Sequence, residues 1–475
     1  MVGITSYGAY VPVYRLGRDV IARAWGKGGG RGERAVAHFD EDSVTMSVAA
    51  GRNALSGIDG MGVDALFVAT STAPYHEKLA ASIVGTALDL GRETRTADFG
   101  NSLRAGTIAI NSAIDAVKAG AANNVLVTAA DLRLGLPQGD HEQNLGDGAA
   151  AVSIGGEGVL AEIEHRTSIV EEIHDVWRAD NDAFIRSSED RFAITQGYER
   201  GVKGVVQRLL QQSGLSQSDF SKVAIYGPEA RSHAALVKAL EFKPEQIVAP
   251  PFATIGNTGA ANAMLTLVLA LEGAQPGERI LFVGYGDGAD AFVLRATEGI
   301  ARVKPERSLS DQIASKRAVP TYEKYLLWRQ LLSTESPRRP DPIVSSPAAL
   351  FRERRRVLAL YGQRCVACNT IQYHPLHTMR ICSVCKTKDR FEWVRLSDRK
   401  GEVYTFTLDN LAASIDPPIV FTTVDFQGGG RIVCEMTDVD PAEVQVGMPV
   451  EMCFRKLFTV KGIHTYFWKS RPARQ

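Results

Sequence analysis

Asp98-Phe99-Gly100-Asn101-Ser102-Leu103-Arg104-Ala105-Gly106-Thr107 is the stretch that decides the fold. It follows the apolar run Ala65-Leu66-Phe67-Val68-Ala69-Thr70 and a helical pattern over 78–90, and it opens an Ala-rich helix over 104–120. Small residues at such a junction let the backbone come close to a ligand. A helix N-terminus favours negative charge developing beside it.

Working outward, the helix carries Ile108, Ile110, Ala113, Ile114 and Val117 at near-helical spacing. It feeds Asn124-Val125-Leu126-Val127-Thr128, which is short, apolar and β-branched, as a buried strand is. The same order returns later. An apolar helix over 259–274 and the turn Pro276-Gly277 lead to the strand Arg279-Ile280-Leu281-Phe282-Val283-Gly284. From helix start to strand start is 20 residues in both copies, and the two strands begin 155 residues apart. That spacing predicts a duplicated α/β half-domain with a mixed, mostly parallel sheet covered on both faces. Residues 301–335 read as mostly helical and polar, and Phe351–Tyr361 as a short helix.

The chain has 475 residues, room for two or three cores. Lys+Arg and Asp+Glu are both 54, a balance that argues against nucleic acid or an anionic membrane as the main partner. No apolar run approaches the roughly 18 residues of a membrane span, and the N-terminus MVGITSYGAY lacks a basic segment followed by an apolar core, so a soluble cytoplasmic protein is expected.

All six cysteines lie in the last quarter. Cys365-x-x-Cys368 and Cys382-x-x-Cys385, 13 residues apart, form two knuckles whose four thiolates suit one structural Zn²⁺ in tetrahedral geometry. Four such ligands leave no open position for catalysis. Runs at 403–407, 419–426, 431–436, 450–454 and 465–468 give about five strands, with Gly428-Gly429-Gly430 at a hairpin. Five short strands after a metal ribbon suit a barrel of OB type.

With these residues in view, the chain resembles the thiolase superfamily and, within it, the hydroxymethylglutaryl-CoA synthases. The resemblance is carried by 98–107, where Arg104-Ala105-Gly106-Thr107 stands for the end of the family's Ala-Cys-Lys-Ala-Gly-Thr. It is carried also by Tyr7-Gly8-Ala9-Tyr10-Val11-Pro12 and Asp40-Glu41-Asp42-Ser43-Val44-Thr45-Met46. Residues 351–475 resemble the zinc-ribbon/OB-fold proteins that accompany thiolase-like enzymes as separate subunits and help to enclose the CoA part of the substrate. The resemblance implies a duplicated thiolase-like α/β fold, layered α/β/α/β/α, over 1–335. A linker over 336–350, a helix plus zinc ribbon over 351–390 and an OB-fold domain over 391–475 follow.

The synthase family uses a Cys nucleophile, a Glu, a His and an Asn. Carried over by position, the nucleophile becomes Leu103, with Ser102 beside it, and residues 1–364 hold no cysteine. The Glu position, anchored on Pro74-Tyr75, is Ser71. The His position, anchored on Pro228, is Tyr226, or Gly227 if the register slips by one. The Asn motif survives as Gly256-Asn257-Thr258-Gly259, and a later turn as Gly284-Tyr285-Gly286-Asp287-Gly288. The resemblance thus implies Tyr226, Asn257 and Ser102 as catalytic candidates, with Ser71, Leu103, Gly256 and Gly286 lining a substrate site for a coenzyme A thioester.

Covalent acyl transfer needs an activated nucleophile beside a base, and Leu103 cannot serve. An enolate route without an acyl-enzyme is the expectation: aldol or retro-aldol chemistry on a β-hydroxyacyl-CoA, as in thiolase-like aldolases of steroid side-chain breakdown. The alternatives are a non-catalytic acyl-CoA-binding scaffold, or a synthase or acyltransferase using an atypical nucleophile such as Ser102. Tyr226 also reads as a core tyrosine ending a strand, Asn257 as a turn residue, His76 and His233 as surface or satisfied pocket residues, and Asp287 and Asp290 as turn residues. A homodimer is implied, with a thiolase or a dehydrogenase/hydratase as a further partner.

Overall fold

A computed structural model describes residues 1–28, 30–56, 62–301, 304–335, 346–374 and 377–474. The chain divides into two compact units, one of Met1–Ala37, Asp42–Gly85 and Leu90–Tyr322, the other of His38–Glu41, Thr86–Asp89 and Glu323–Gln475.

The first unit is built on a ten-stranded sheet: β1 (Gly3–Tyr10), β2 (Ala65–Ala69), β3 (Arg95–Phe99), β4 (Asn124–Asp131), β5 (Gly148–Gly155), β6 (Ala161–Val170), β7 (Lys222–Ile225), β8 (Ile247–Val248), β9 (Arg279–Tyr285) and β10 (Gly288–Ala296). The strand order is β8-β7-β9-β10-β6-β1-β5-β4-β2-β3. Counted outward from the middle, one half runs 1-5-4-2-3 and the other 6-10-9-7-8, the same path taken twice. The halves join where Gly3 faces Glu162 and Ile4 faces Ala161.

The helices repeat as well. Half one carries α1 (Ser43–Ala54), α2 (Ala80–Ala87) and α3 (Ala105–Lys118), and half two α4 (Arg200–Ser213), α5 (Ala230–Ala239) and α6 (Asn262–Glu272). α1 packs on β1 and β5, and its counterpart α4 on β6 and β10. α6 is buried almost all round, as an apolar helix inside a core must be. It touches α3 and strands of both halves, which makes the central layer of an α/β/α/β/α stack.

The expected mostly parallel sheet needs correcting. Only β2/β3, β2/β4, β7/β8 and β7/β9 are parallel, and the other pairs are antiparallel. Between β9 and β10 the chain turns straight back through Gly286 (φ 153°) and Asp287 (φ 50°), so no crossover helix separates them. Among its described residues the region 301–335 holds two short helices, Leu309–Ala314 and Tyr322–Trp328, rather than being mostly helical.

In the second unit, residues 336–345 of the expected linker lie outside the described residues. The helix placed over 351–361 is α7 (Pro347–Leu358), so residues 347–350 are helix rather than linker. A proline at the first helical position loses no hydrogen bond. Strands β11 (Tyr361–Cys365), β12 (Ile371–Gln372) and β13 (Phe391–Arg395) form a small sheet. β14 (Gly401–Asp409), β15 (Ile419–Phe426), β16 (Arg431–Met436), β17 (Pro449–Val460) and β18 (Ile463–Pro472) close a barrel in the order β14-β15-β16-β18-β17. β15 alternates strictly, with Val420, Thr422, Val424 and Phe426 inside.

This unit also buries charge. The Arg455 guanidinium lies 3.0 Å from Asp40 and from Glu41 and 2.7 Å from Asp438, and Lys469 Nζ lies 3.0 Å from Asp40 and 2.7 Å from Glu435. His38 Nδ1 lies 3.0 Å from Asp40 and Nε2 lies 3.9 Å from Asp416. Burial pushes the His38 imidazole down. Asp40 and the neighbouring carboxylates more than offset this and raise it to about 9.

Candidate active site

The site gathers where parallel strands end. Ala69 of β2 is level with Phe99 of β3 and Ala129 of β4, so Thr70-Ser71-Thr72, the 98–107 loop and Asp131 emerge together. In the other half Ile225 is level with Val283, which brings Tyr226 and Tyr285 out side by side. Their rings lie 6.0 Å apart.

Asp131 ties the first group down. One carboxylate oxygen accepts from Thr70 Oγ1 (2.9 Å), the Ser71 amide (2.7 Å) and Thr72 Oγ1 (3.1 Å). The other accepts from Ser71 Oγ (2.8 Å) and the Ala260 amide (2.8 Å). The amide and the hydroxyl of Ser71 are therefore both spent on Asp131. Gly259 (φ 61°) makes this packing fit, because a Cβ there would stand 2.2 Å from Asp131 Oδ2 and 2.6 Å from Arg133 Cδ.

Asn257 Oδ1 accepts from the Gly259 amide (2.9 Å). Its Nδ2 faces three acceptors at 3.1 Å: the Gly227 carbonyl, the Pro228 carbonyl and Tyr226 Oη. An amide nitrogen only donates, so Tyr226 Oη is the acceptor here. Among the described residues the phenolic proton of Tyr226 finds no acceptor of its own. Tyr226 is 2% exposed. Burial raises its pKa, while Arg133 and the Asn257 amide pull it the other way. Gly256 (φ 89°) runs so close to Asn144 and Leu145 that a Cβ would meet their backbone at about 3 Å.

At the head of α3, Ser102 Oγ donates to Asp287 Oδ2 (2.8 Å), so the serine does have a carboxylate beside it. Asp287 is both a turn residue and that partner. Asp290 is no turn residue. It lies in β10, buried, and accepts from Thr107 Oγ1 (2.7 Å), Ser168 Oγ (2.6 Å) and Arg104 (3.4 Å). A Cβ on Gly286 would stand 2.8 Å from Ser102 Oγ and 3.0 Å from the Leu103 nitrogen, so only glycine brings this turn over the loop. Leu103 is half-buried against the core, and among the described residues its amide donates to nothing.

Of the histidines, His76 is exposed. His233, expected at the surface or satisfied, is instead 3% exposed with no partner for Nε2, and burial lowers its pKa to about 4. Its ring packs against Phe252.

In the second unit the sulfurs of Cys365, Cys368, Cys382 and Cys385 lie within 4.8 Å of one another. The knuckles Cys365-Val-Ala-Cys368-Asn369-Thr370 and Cys382-Ser-Val-Cys385-Lys386-Thr387 are copies of one structure. In each, the residue after the second cysteine takes a positive φ (59° and 61°) and donates its amide to the first cysteine's carbonyl (2.9 and 3.1 Å). In each, a threonine hydroxyl lies 3.2 Å from the second sulfur. His374 and His377 pair with each other and lie outside the cluster.

The C-terminal domain of 3-oxoacyl-[acyl-carrier-protein] synthase III matches residues 210–295, and the C-terminal OB-fold domain of ChsH2 matches 393–455. The hydroxymethylglutaryl-CoA synthase of Methanopyrus kandleri is 32% identical over 344 residues, 70% of this chain and 98% of that protein. That of Archaeoglobus fulgidus is 34% identical over 342 residues, 70% of this chain and 99% of that protein. The chain belongs to the hydroxymethylglutaryl-CoA synthase family. Solved structures share the fold of this synthase-like part. HMG-CoA synthase complexed with CoA superposes with TM-score 0.62 at 19% identity, over 68% of this chain and 89% of that one. MvaS in complex with 3-hydroxy-3-methylglutaryl coenzyme A gives 0.61 at 20%, over 83% and 99%. The synthase-like fold is thus joined in one chain to an OB-fold domain.

Proposed function

We propose that this member of the synthase family acts on acyl-CoA thioesters and makes or breaks a carbon–carbon bond by aldol or retro-aldol chemistry, without an acyl-enzyme. The observation that carries this reading is a pair of unspent donors. The Leu103 amide and the Tyr226 phenol each keep a free proton, and the match to the family's motif would put the Leu103 side chain at the nucleophile's position. An unspent amide at a helix N-terminus suits the oxygen of a thioester enolate. A buried phenol suits proton traffic at the carbonyl or hydroxyl one carbon further on. In condensation, loss of the Cα proton to solvent gives the thioester enolate, whose electron pair forms the Cα–Cβ bond to the acceptor's carbonyl carbon while the Tyr226 phenol gives its proton to that carbonyl oxygen; solvent then returns a proton to the phenolate. Cleavage runs the same steps backwards and leaves a shorter acyl-CoA and an aldehyde or ketone.

The test is incubation with a panel of β-hydroxyacyl-CoA thioesters and mass analysis of the CoA products. A shortened acyl-CoA with its carbonyl partner supports the reading, and binding without product moves the chain to the scaffold reading. The Ser102–Asp287 contact favours a second reading, acyl transfer through serine. A mass shift on Ser102 under acetyl-CoA would establish that route and overturn the first.

We infer also that the two knuckles hold one structural zinc. Tetrahedral Zn–S bonds of about 2.3 Å put sulfurs about 3.8 Å apart, and the Cys365–Cys385 and Cys368–Cys382 sulfurs lie 3.6 and 3.5 Å apart. The threonine hydroxyls at 3.2 Å would steady the thiolates from outside the ligand set.

A further inference from the structure

Two residues past the end of β4 lies Arg133. It is 5% exposed; among the described residues its guanidinium makes no hydrogen bond and no ion pair, and its nitrogens keep some contact with solvent. An arginine cannot shed its charge, and a buried charge without a partner is costly to keep.

The neighbourhood does not supply that partner. The charged and phenolic groups that act on Arg133 or feel it include Tyr226, Asp131, Arg178, Asp175 and His141. Asp131 already accepts five hydrogen bonds. Asp175 accepts from the Val176 amide at 2.6 Å and makes no ion pair with Arg133. Arg178 has the same sign and donates to the Ser71 carbonyl. The glycine at 259 leaves the space that the Arg133 stem occupies, alongside the Asn257 loop.

We propose that Arg133 anchors a carboxylate-binding subsite at the reacting end of the site, so that one of the two fragments joined or separated there carries a carboxylate. A guanidinium meets a carboxylate through two parallel N–H···O bonds, a match that a lysine or a single amide does not offer. The carboxylate belongs either to the far end of the acyl chain or to the carbonyl fragment, as in a 2-oxo acid. The subsite rests on Arg133 and its surroundings. That a CoA thioester brings the carboxylate rests on the function proposed above.

The experiment is isothermal titration of the full chain with succinyl-CoA and butyryl-CoA, four-carbon acyl groups that differ in the carboxylate. Pyruvate is titrated separately, with and without acetyl-CoA. The acyl-chain source predicts that succinyl-CoA binds about 30-fold or more tighter than butyryl-CoA, the scale of one buried charge-paired contact. Arg133→Met then erases the preference and leaves butyryl-CoA binding unchanged, and Arg133→Lys recovers part of it. The carbonyl-fragment source predicts equal thioester affinities and pyruvate binding that Arg133→Met abolishes. Unfolding of the ligand-free protein separates site from scaffold. Arg133→Met should leave Tm equal or higher, whereas an arginine needed by the fold would lower it. No carboxylate preference in either arm, or a preference that survives Arg133→Met, overturns the proposal. If neither thioester binds, the acyl-CoA reading falls, and Arg133-dependent binding of free succinate or pyruvate would uphold the subsite alone.

Discussion

Replacing Tyr226 by phenylalanine removes one oxygen from the site, and its cost can be worked out on two separate scales. For stability, Asn257 Nδ2 has two protons and three acceptors at 3.1 Å. Without the phenol it still has the Gly227 and Pro228 carbonyls, so no buried donor is orphaned. The ring stays packed against Tyr198 and Tyr285. The loss should be about 1 kcal/mol or less, the net worth of one hydrogen bond, and Tm should move by no more than a few degrees. For turnover, a positioned proton donor contributes about 10²–10⁴, or about 3–5 kcal/mol of barrier. Tyr226→Phe should therefore lower kcat about a hundredfold or more while the Kd for the thioester stays within about threefold. The assay is single-turnover formation of shortened acyl-CoA, with binding measured by calorimetry. A kcat within threefold of the parent refutes the role. A large fall in Tm would show instead that the hydroxyl holds the core together.

Gly259→Ala should be far more damaging than its one carbon suggests, since it strains a positive φ and drives Cβ into Asp131 and Arg133. We expect a loss of about 2 kcal/mol or more, read as a lowered Tm. Elemental analysis should find about one zinc per chain, and Cys368→Ser should remove it and destabilise the second unit in particular. Stability should also depend on pH through His38. Its folded pKa of about 9 exceeds the ordinary 6.5 or so, so its contribution is whole below about pH 6.5 and is lost as pH rises through about 9. The size is about 3 kcal/mol. Denaturation from pH 6 to 9.5 should show this fall and His38→Gln should flatten it; an unchanged slope in the variant would assign it to another group.

How much of this was legible in the sequence depended on what kind of signal each element left. The repeat of helix and strand at 104–124 and 259–279 announced the duplication, because buried strands are short and β-branched wherever they lie. Their directions were less legible. Apolar runs look alike in parallel and antiparallel pairs, and the two-residue turn at Gly286-Asp287 is what makes β10 run back. α7 began at a proline counted as linker, which composition alone cannot distinguish from a first helical turn. The Asn257 loop was found by its motif. Asp131 was not, since its donors come from residues 70–72 and 260, which are neighbours only in space. Arg133 left no signal, because its burial is a product of the fold. The threonines Thr370 and Thr387 become visible once the two knuckles are set one above the other.

Gly106 sits near the start of α3, and a Cβ there would stand 2.9 Å from Met264 Sδ on α6 and 3.1 Å from the Ala260 carbonyl. α3 begins just after the unspent amide of Leu103, and α6 just after the Asn257 loop that holds Tyr226. The absent methyl of Gly106 is thus a spacer gauge between the two repeats, setting the gap between the Leu103 amide and the Tyr226 phenol that the proposed reaction would span. Widening it with alanine by a few tenths of an ångström would leave every residue of the site in place and detune them all together, since reacting groups tolerate misplacement of well under 1 Å or so.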